Sequence, residues 1–188
     1  GVKHCISVSN GTDALLIPLM AWGVGRGDAV FVPDFTFAST SEVACLTGAT
    51  PVFVDIDRKT FNMDPQSLEE KILKVKKRGL LVPRVVIPVD LFGLPAEYEK
   101  ITQIAQRHGL KILEDAAQGL GGKIHEKKAG SFGDAAATSF FPSKPLGCYG
   151  DGGAIFTSDD DLAEAAESIR SHGKGKDQCP YDEDSAVL

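Results

Sequence analysis

The alternation of short apolar runs with longer helical stretches narrows this chain to a small group of folds. Apolar runs lie near Cys5–Val8, Ala29–Val32, Pro51–Val54, Arg84–Val89 and Leu110–Glu114, with helical patterning between them. The stretch from Pro65 to Lys77 reads as a charged helix, and Ala96 to His108 as another with Ile101, Ile104 and Ala105 on one stripe. Crossovers of that length between strands predict βα units and a mostly parallel sheet. After Gln118 the pattern becomes β-rich: a hairpin over Gly121–Lys128, a buried strand from Ala135 to Phe140, and a last strand over Gly153–Thr157. A helix with an acidic first turn follows, from Asp159 to Arg170. With 188 residues, 43% of them hydrophobic, the chain is long enough for one substantial core, and one domain is expected.

Two stretches point to chemistry. In Ser139-Phe-Phe-Pro-Ser-Lys144-Pro, Pro142 and Pro145 fix φ on either side of a lysine, and Gly147, Gly150, Gly152 and Gly153 follow. A lysine leaving such a turn, if desolvated, suits Schiff-base formation; the same stretch also reads as a surface loop with a solvated lysine. Upstream, Lys111-Ile-Leu-Glu-Asp115 reads as a strand ending in a carboxylate, at the edge where open α/β sheets bind ligands. A lysine and an aspartate delivered to one sheet edge match pyridoxal phosphate chemistry, the lysine for the carbonyl and the carboxylate for the pyridinium nitrogen.

Other positions are open to two readings. Asn10-Gly-Thr-Asp at the first strand-to-helix junction is either a plain N-cap or an anion site at a helix N-terminus. Phe35 and Phe37 follow the second strand; either packs in the core, or one covers the face of a flat ligand. Core packing is the expectation for Phe35. By spacing alone, Gln118 and Ser139 are polar residues satisfied at strand ends.

Several function classes are disfavoured. A formal net charge of -6 and the absence of a basic stripe argue against nucleic acid. The one basic cluster, Lys71, Lys74, Lys76, Lys77 and Arg78, alternates with Ile72, Leu73 and Val75 and reads as a solvated helix face. Cys5, Cys45, Cys148 and Cys179 form no C-x-x-C pair and the histidines show no ligand spacing, so no metal is expected, and a reducing compartment is. No apolar run approaches a membrane span. The chain starts at Gly1-Val-Lys-His and reads as a piece of a longer protein.

In order along the chain, Asn10-Gly-Thr-Asp-Ala-Leu15, Val32-Pro-Asp-Phe-Thr-Phe37-Ala-Ser-Thr40, Gly48 to Asp57, Glu114-Asp-Ala-Ala-Gln118 and Ser139 to Gly153 resemble the DegT/DnrJ/EryC1/StrS family of aminotransferases. The resemblance implies the large domain of a fold-type I pyridoxal phosphate enzyme, a three-layer α/β/α unit spanning residues 1–173 without its first helices. Residues 174–188 would begin the connection to an absent C-terminal small domain, with the match fading from Gln178. It implies Lys144 and Asp115 as catalytic residues, Gly11, Thr12 and Ser139 at the cofactor phosphate, Phe37 stacked on the ring and Gln118 at the phenolic oxygen.

The activity implied is transamination from glutamate to a nucleotide-linked keto-sugar, preferably a UDP-linked 3-keto sugar of surface-polysaccharide pathways, by a cytoplasmic homodimer. A 4-keto sugar, or a non-catalytic cofactor-binding sensor, are the alternatives. A sugar-dehydrating branch that replaces the lysine with histidine is disfavoured by Lys144.

Overall fold

The computed structural model describes residues 1–174. Nine strands and five α-helices run in the order β1 (His4–Val8), α1 (Gly11–Ala21), β2 (Asp28–Pro33), α2 (Ser39–Leu46), β3 (Thr50–Val54), α3 (Pro65–Arg78), β4 (Val82–Val86), α4 (Tyr98–His108), β5 (Lys111–Asp115), β6 (Lys123–Ile124), β7 (Lys127–Lys128), β8 (Ala135–Ser139), β9 (Gly153–Thr157) and α5 (Asp160–Arg170) among the described residues. Seven strands form one sheet in the order β1-β9-β8-β5-β4-β2-β3, and β6 and β7 make the expected hairpin. The pairings among β3, β2, β4, β5 and β8 are parallel, whereas β9 runs antiparallel to both β1 and β8.

Period-two alternation divides the strand side chains between two cores. Val30, Val32, Val85, Ile87 and Leu113 pack with Leu15 and Leu19 of α1, Val43 of α2 and Leu162 of α5. Phe31, Val86 and Ile112 point the other way, onto Leu68 and Ile72 of α3 and Ile101 and Ile104 of α4. Helices therefore cover both faces, which gives the expected three layers.

Local chemistry sets the helix ends. Asp64 caps α3 by accepting from the Gln66 N–H at 3.0 Å, and Pro65 takes the first helical position, where its missing N–H costs nothing. Asp159 caps α5 by accepting from the N–H groups of Asp161 and Leu162. The basic cluster sits on the exposed side of α3, with Lys76, Lys77 and Arg78 in the last turn where they complement the helix dipole.

The strand expected over Arg84–Val89 starts at Val82 and ends at Val86. Its extension makes isolated bonds instead, from Ile87 N–H to Phe31 O and between Val89 and Asp115. No helix among the described residues is long and apolar enough to cross a membrane.

Candidate active site

Residues from three parallel strands and two helix starts meet at the C-terminal edge of the sheet. β5 ends in Asp115, and β8, its parallel neighbour, pairs Ala137 opposite it before ending in Ser139. The chain then turns, with Lys144 N–H donating to Phe141 O at 2.8 Å. Gly147 closes this turn against the Pro142 carbonyl, at a distance no larger residue would tolerate. The proline frame thus forms the non-helical turn that the sequence predicts.

The Lys144 side chain is half-buried rather than desolvated, because Phe141, Leu146 and Tyr149 around it lie open to solvent. Its ammonium lies 6.0 Å from the centroid of the Phe37 ring, at the outer limit of cation–π attraction. Phe37 is 69% exposed and presents its ring to the cleft. Phe35 is not in the core: it is 47% exposed and packs against Phe61, which in turn meets Phe92 edge-on. The reason is positional. β2 ends at Pro33, so both aromatics emerge above the sheet edge, beyond the reach of either core.

Asp115 is 4% exposed. Burial pushes its carboxyl above the ordinary carboxylate range, opposed by a hydrogen bond from Thr40, the Ala117 N–H and the positive charge of Lys144. Thr40 Oγ1 donates to Oδ2 at 2.9 Å, and Ala117 N–H to Oδ1 at 3.1 Å. Each oxygen keeps a free lone pair for a further donor.

A second group forms at the start of α1. Asn10 is the N-cap, accepting from Asp13 N–H at 2.8 Å. The N–H groups of Gly11 and Thr12 take no partner among the described residues. The cap and the anion site are thus compatible, since the cap satisfies the third N–H and leaves the first two free. Ser139, buried at the end of β8, packs directly on Gly11, and Gly153 of β9 backs onto Asn10 and Gly11 from the other side. β8 therefore links the two groups, ending beside the free N–H groups of α1 and leading into the lysine turn.

Gln118 is half-buried, and its Oε1 accepts from Phe92 N–H at 3.0 Å, which directs the NH₂ group elsewhere as a donor. Sequence reasoning missed Thr40 as a partner of Asp115. It also missed Asp90, which holds the segment beneath the site. Thr40 closes a quoted motif, but nothing in that motif reveals a partner on β5.

Residues 1–185 match the model of the DegT/DnrJ/EryC1/StrS aminotransferase family. The match passes Gln178, where fading was expected; that boundary lies outside the described residues. The chain is 51% identical, over 176 residues, to the UDP-2-acetamido-2-deoxy-3-oxo-D-glucuronate aminotransferase of Pseudomonas aeruginosa, covering 94% of this chain and 47% of that protein. It superposes with a TM-score of 0.94 and 57% identity on the crystal structure of a DegT DnrJ EryC1 StrS aminotransferase from Brucella abortus, over 97% of this chain and 48% of that one. NtdA from Bacillus subtilis, solved with bound cofactor PMP, superposes with a TM-score of 0.83 at 35% identity, over 94% of this chain and 38% of that one. The chain thus spans about half the length of the curated relatives it matches.

Proposed function

The chain belongs to the DegT/DnrJ/EryC1/StrS aminotransferase family, and on that premise we propose that the whole protein is a pyridoxal phosphate-dependent aminotransferase. It moves an amino group from glutamate to a nucleotide-linked keto-sugar, with a UDP-linked 3-keto sugar preferred. The likeness to the 3-oxo-glucuronate aminotransferase supports that acceptor.

The residues present fit the cofactor. The free N–H groups of Gly11 and Thr12, with the Ser139 hydroxyl beside them, suit a phosphate. Asp115 offers a buried carboxylate to a ring N–H, and the Gln118 NH₂ suits a ring oxygen. The exposed Phe37 ring suits the face of a heterocycle.

When bound, pyridoxal phosphate supplies an electrophilic carbonyl carbon and a ring that accepts the electrons released at the donor's α-carbon. The chain's own residues do the rest. Lys144 would hold the cofactor through its Nζ, and the same amine, when free, would be the base that takes the proton from the donor's α-carbon. Burial raises the Asp115 carboxyl, with Thr40, Ala117 and Lys144 acting the other way; beside a protonated ring nitrogen its carboxylate would gain a cationic partner and would hold that proton in place.

Residues 1–173 are the cofactor-binding large domain in this reading, and 174–188 begin its connection onward. The exposed Phe37, Phe92, Leu146 and Tyr149 around the cleft support a homodimer in which a second subunit covers the site. A cytoplasmic location follows from the proposed substrates.

The carrying observation is the meeting of Lys144 and Asp115 at one sheet edge. The test is the reverse reaction of the full-length protein, with 2-oxoglutarate and a panel of nucleotide amino-sugars. Glutamate should form with UDP-linked 3-amino sugars. Formation only with 4-amino sugars would move the assignment to 4-keto acceptors; turnover of free amino acids alone would overturn it. Cofactor binding without turnover would leave a sensor.

A further inference from the structure

Asp90, between β4 and α4, is 0% exposed. Its Oδ1 accepts from Tyr98 Oη at 2.7 Å and from Ala96 N–H at 3.2 Å, so it ties the entry to α4. Its Oδ2 is the one fully buried side-chain polar atom with no hydrogen-bond partner among the described residues. Gly119 closes that side: a Cβ there would stand 2.5 Å from Oδ2.

The Tyr98 ring, whose hydroxyl donates to Asp90, stacks on Phe132 at 4.5 Å between centroids, and the Phe132 N–H donates to a second buried carboxyl, that of Glu114, also 0% exposed. Glu114 Oε1 accepts from Gly130 N–H at 2.5 Å and Oε2 from Phe132 N–H at 2.6 Å. Neither carboxyl has an ion-pair partner among the described residues.

Two buried carboxylates held about one Tyr98–Phe132 pair, neither with a counter-cation, are not a stable arrangement, and one proton between them resolves both the repulsion and the orphaned oxygen. The backbone N–H groups on Glu114 favour its charged form, so the proton belongs to Asp90. We propose that Asp90 is a carboxylic acid donating to the Glu114 carboxylate, and that this pair is the positioning device setting Asp115 and Gln118 at the site.

The connections are direct. Asp90 N–H donates to Asp115 O at 3.0 Å, and Asp90 O accepts from Gly93 N–H at 3.2 Å. The turn so closed holds Phe92 at φ +55°, with its N–H on Gln118. Gly119, packed on the Asp90 carboxyl, is the next residue along from Gln118. Glu114 precedes Asp115 in β5 and anchors the loop entering β8.

Burial and the Glu114 charge push the Asp90 carboxyl up to about 8, and burial also raises Glu114 against its backbone donors. The other titratable groups here are Tyr98 of α4 and, acting on Tyr98, Asp115.

The consequence for the cofactor rests on the proposed function, but the proton does not. Infrared spectra of the cofactor-free, full-length protein should show a protonated-carboxyl C=O band at neutral pH. The band should persist in Asp115→Asn, vanish in Asp90→Asn, and fade as pH passes about 8. Asp90→Asn keeps a donor toward Glu114 and should bind pyridoxal phosphate within about twofold of the parent, whereas Asp90→Ala should bind about tenfold more weakly. Absence of the band, its survival in Asp90→Asn, or an asparagine variant as impaired as the alanine one would overturn the pair. If the parent takes up no pyridoxal phosphate, the functional reading fails while the band still decides the proton.

Discussion

Gly11 opens α1 so close to Ser139 that a Cβ on Gly11 would lie 2.7 Å from the serine Cβ. The free N–H groups and the serine hydroxyl are thereby held at one point, and two opposed effects bear on a substitution. Alanine at a helical position gains about 1 kcal/mol over glycine, whereas forcing a methyl group into a filled contact costs about 1–3 kcal/mol. The contact should win. Gly11→Ala is expected to lower the thermal midpoint slightly and to weaken pyridoxal phosphate binding more, measured by titration of the cofactor-free protein. A variant that binds the cofactor normally would remove the phosphate role from this helix end.

Lys144→Ala should eliminate borohydride-fixed attachment of pyridoxal phosphate, read by mass spectrometry of the digested protein. The half-buried side chain supports no core contact, so stability should change by less than about 0.5 kcal/mol. Turnover should fall by about a thousandfold or more, as expected for loss of a covalent and proton-moving group. Attachment persisting through another lysine would contradict the site.

The βα order, the hairpin and the strand-end positions of Asp115 and Lys144 were legible because periodicity reports which residues face a core. Strand direction and neighbours are not encoded that way. β9 is buried along nearly all its length, so Gly153–Thr157 reads alike whether parallel at an edge or, as found, antiparallel between β1 and β8. Phe35 was misread because an aromatic after an apolar strand looks like core until the strand's end is known. Thr40 and Asp115, far apart in sequence, meet only because the first turn of α2 reaches the end of β5 in the folded chain. Asp90 escaped notice because its significance lies in an unpaired oxygen, a property of the packed fold.

Thr40→Val should shift the acid limb of the pH–rate profile upward. Thr40 Oγ1 donates to Asp115 Oδ2 at 2.9 Å, and a donor to the charged form lowers a carboxyl pKa, so its removal raises it. Leaving that buried acceptor unpaired costs about 1–3 kcal/mol. Rate at low pH should fall more than rate at high pH, and Thr40→Ser should restore the parent profile. A uniform loss at all pH values would mean that Thr40 serves packing alone.

The cofactor-free protein should lose stability as pH rises from weakly acidic to weakly alkaline. Asp90, Glu114 and Asp115 all have folded-state values raised first by burial. For such groups the folded protein binds more protons than the unfolded chain, so stability is full below the unfolded pKa and is lost as pH climbs through the folded one. For Asp90 the window runs from 3.8 to about 8. Asp160 acts oppositely but at lower pH, since its contacts with Lys3 and His4 hold it at about 2. Thermal midpoints measured across the window should therefore decline. The decline should be shallower in Asp90→Asn, which removes one of the three raised carboxyls, and shallower again with Asp115→Asn added. A midpoint that instead rises toward pH 8 would mean that these carboxyls are ionised in the fold and balanced by a charge the hydrogen-bond pattern does not reveal.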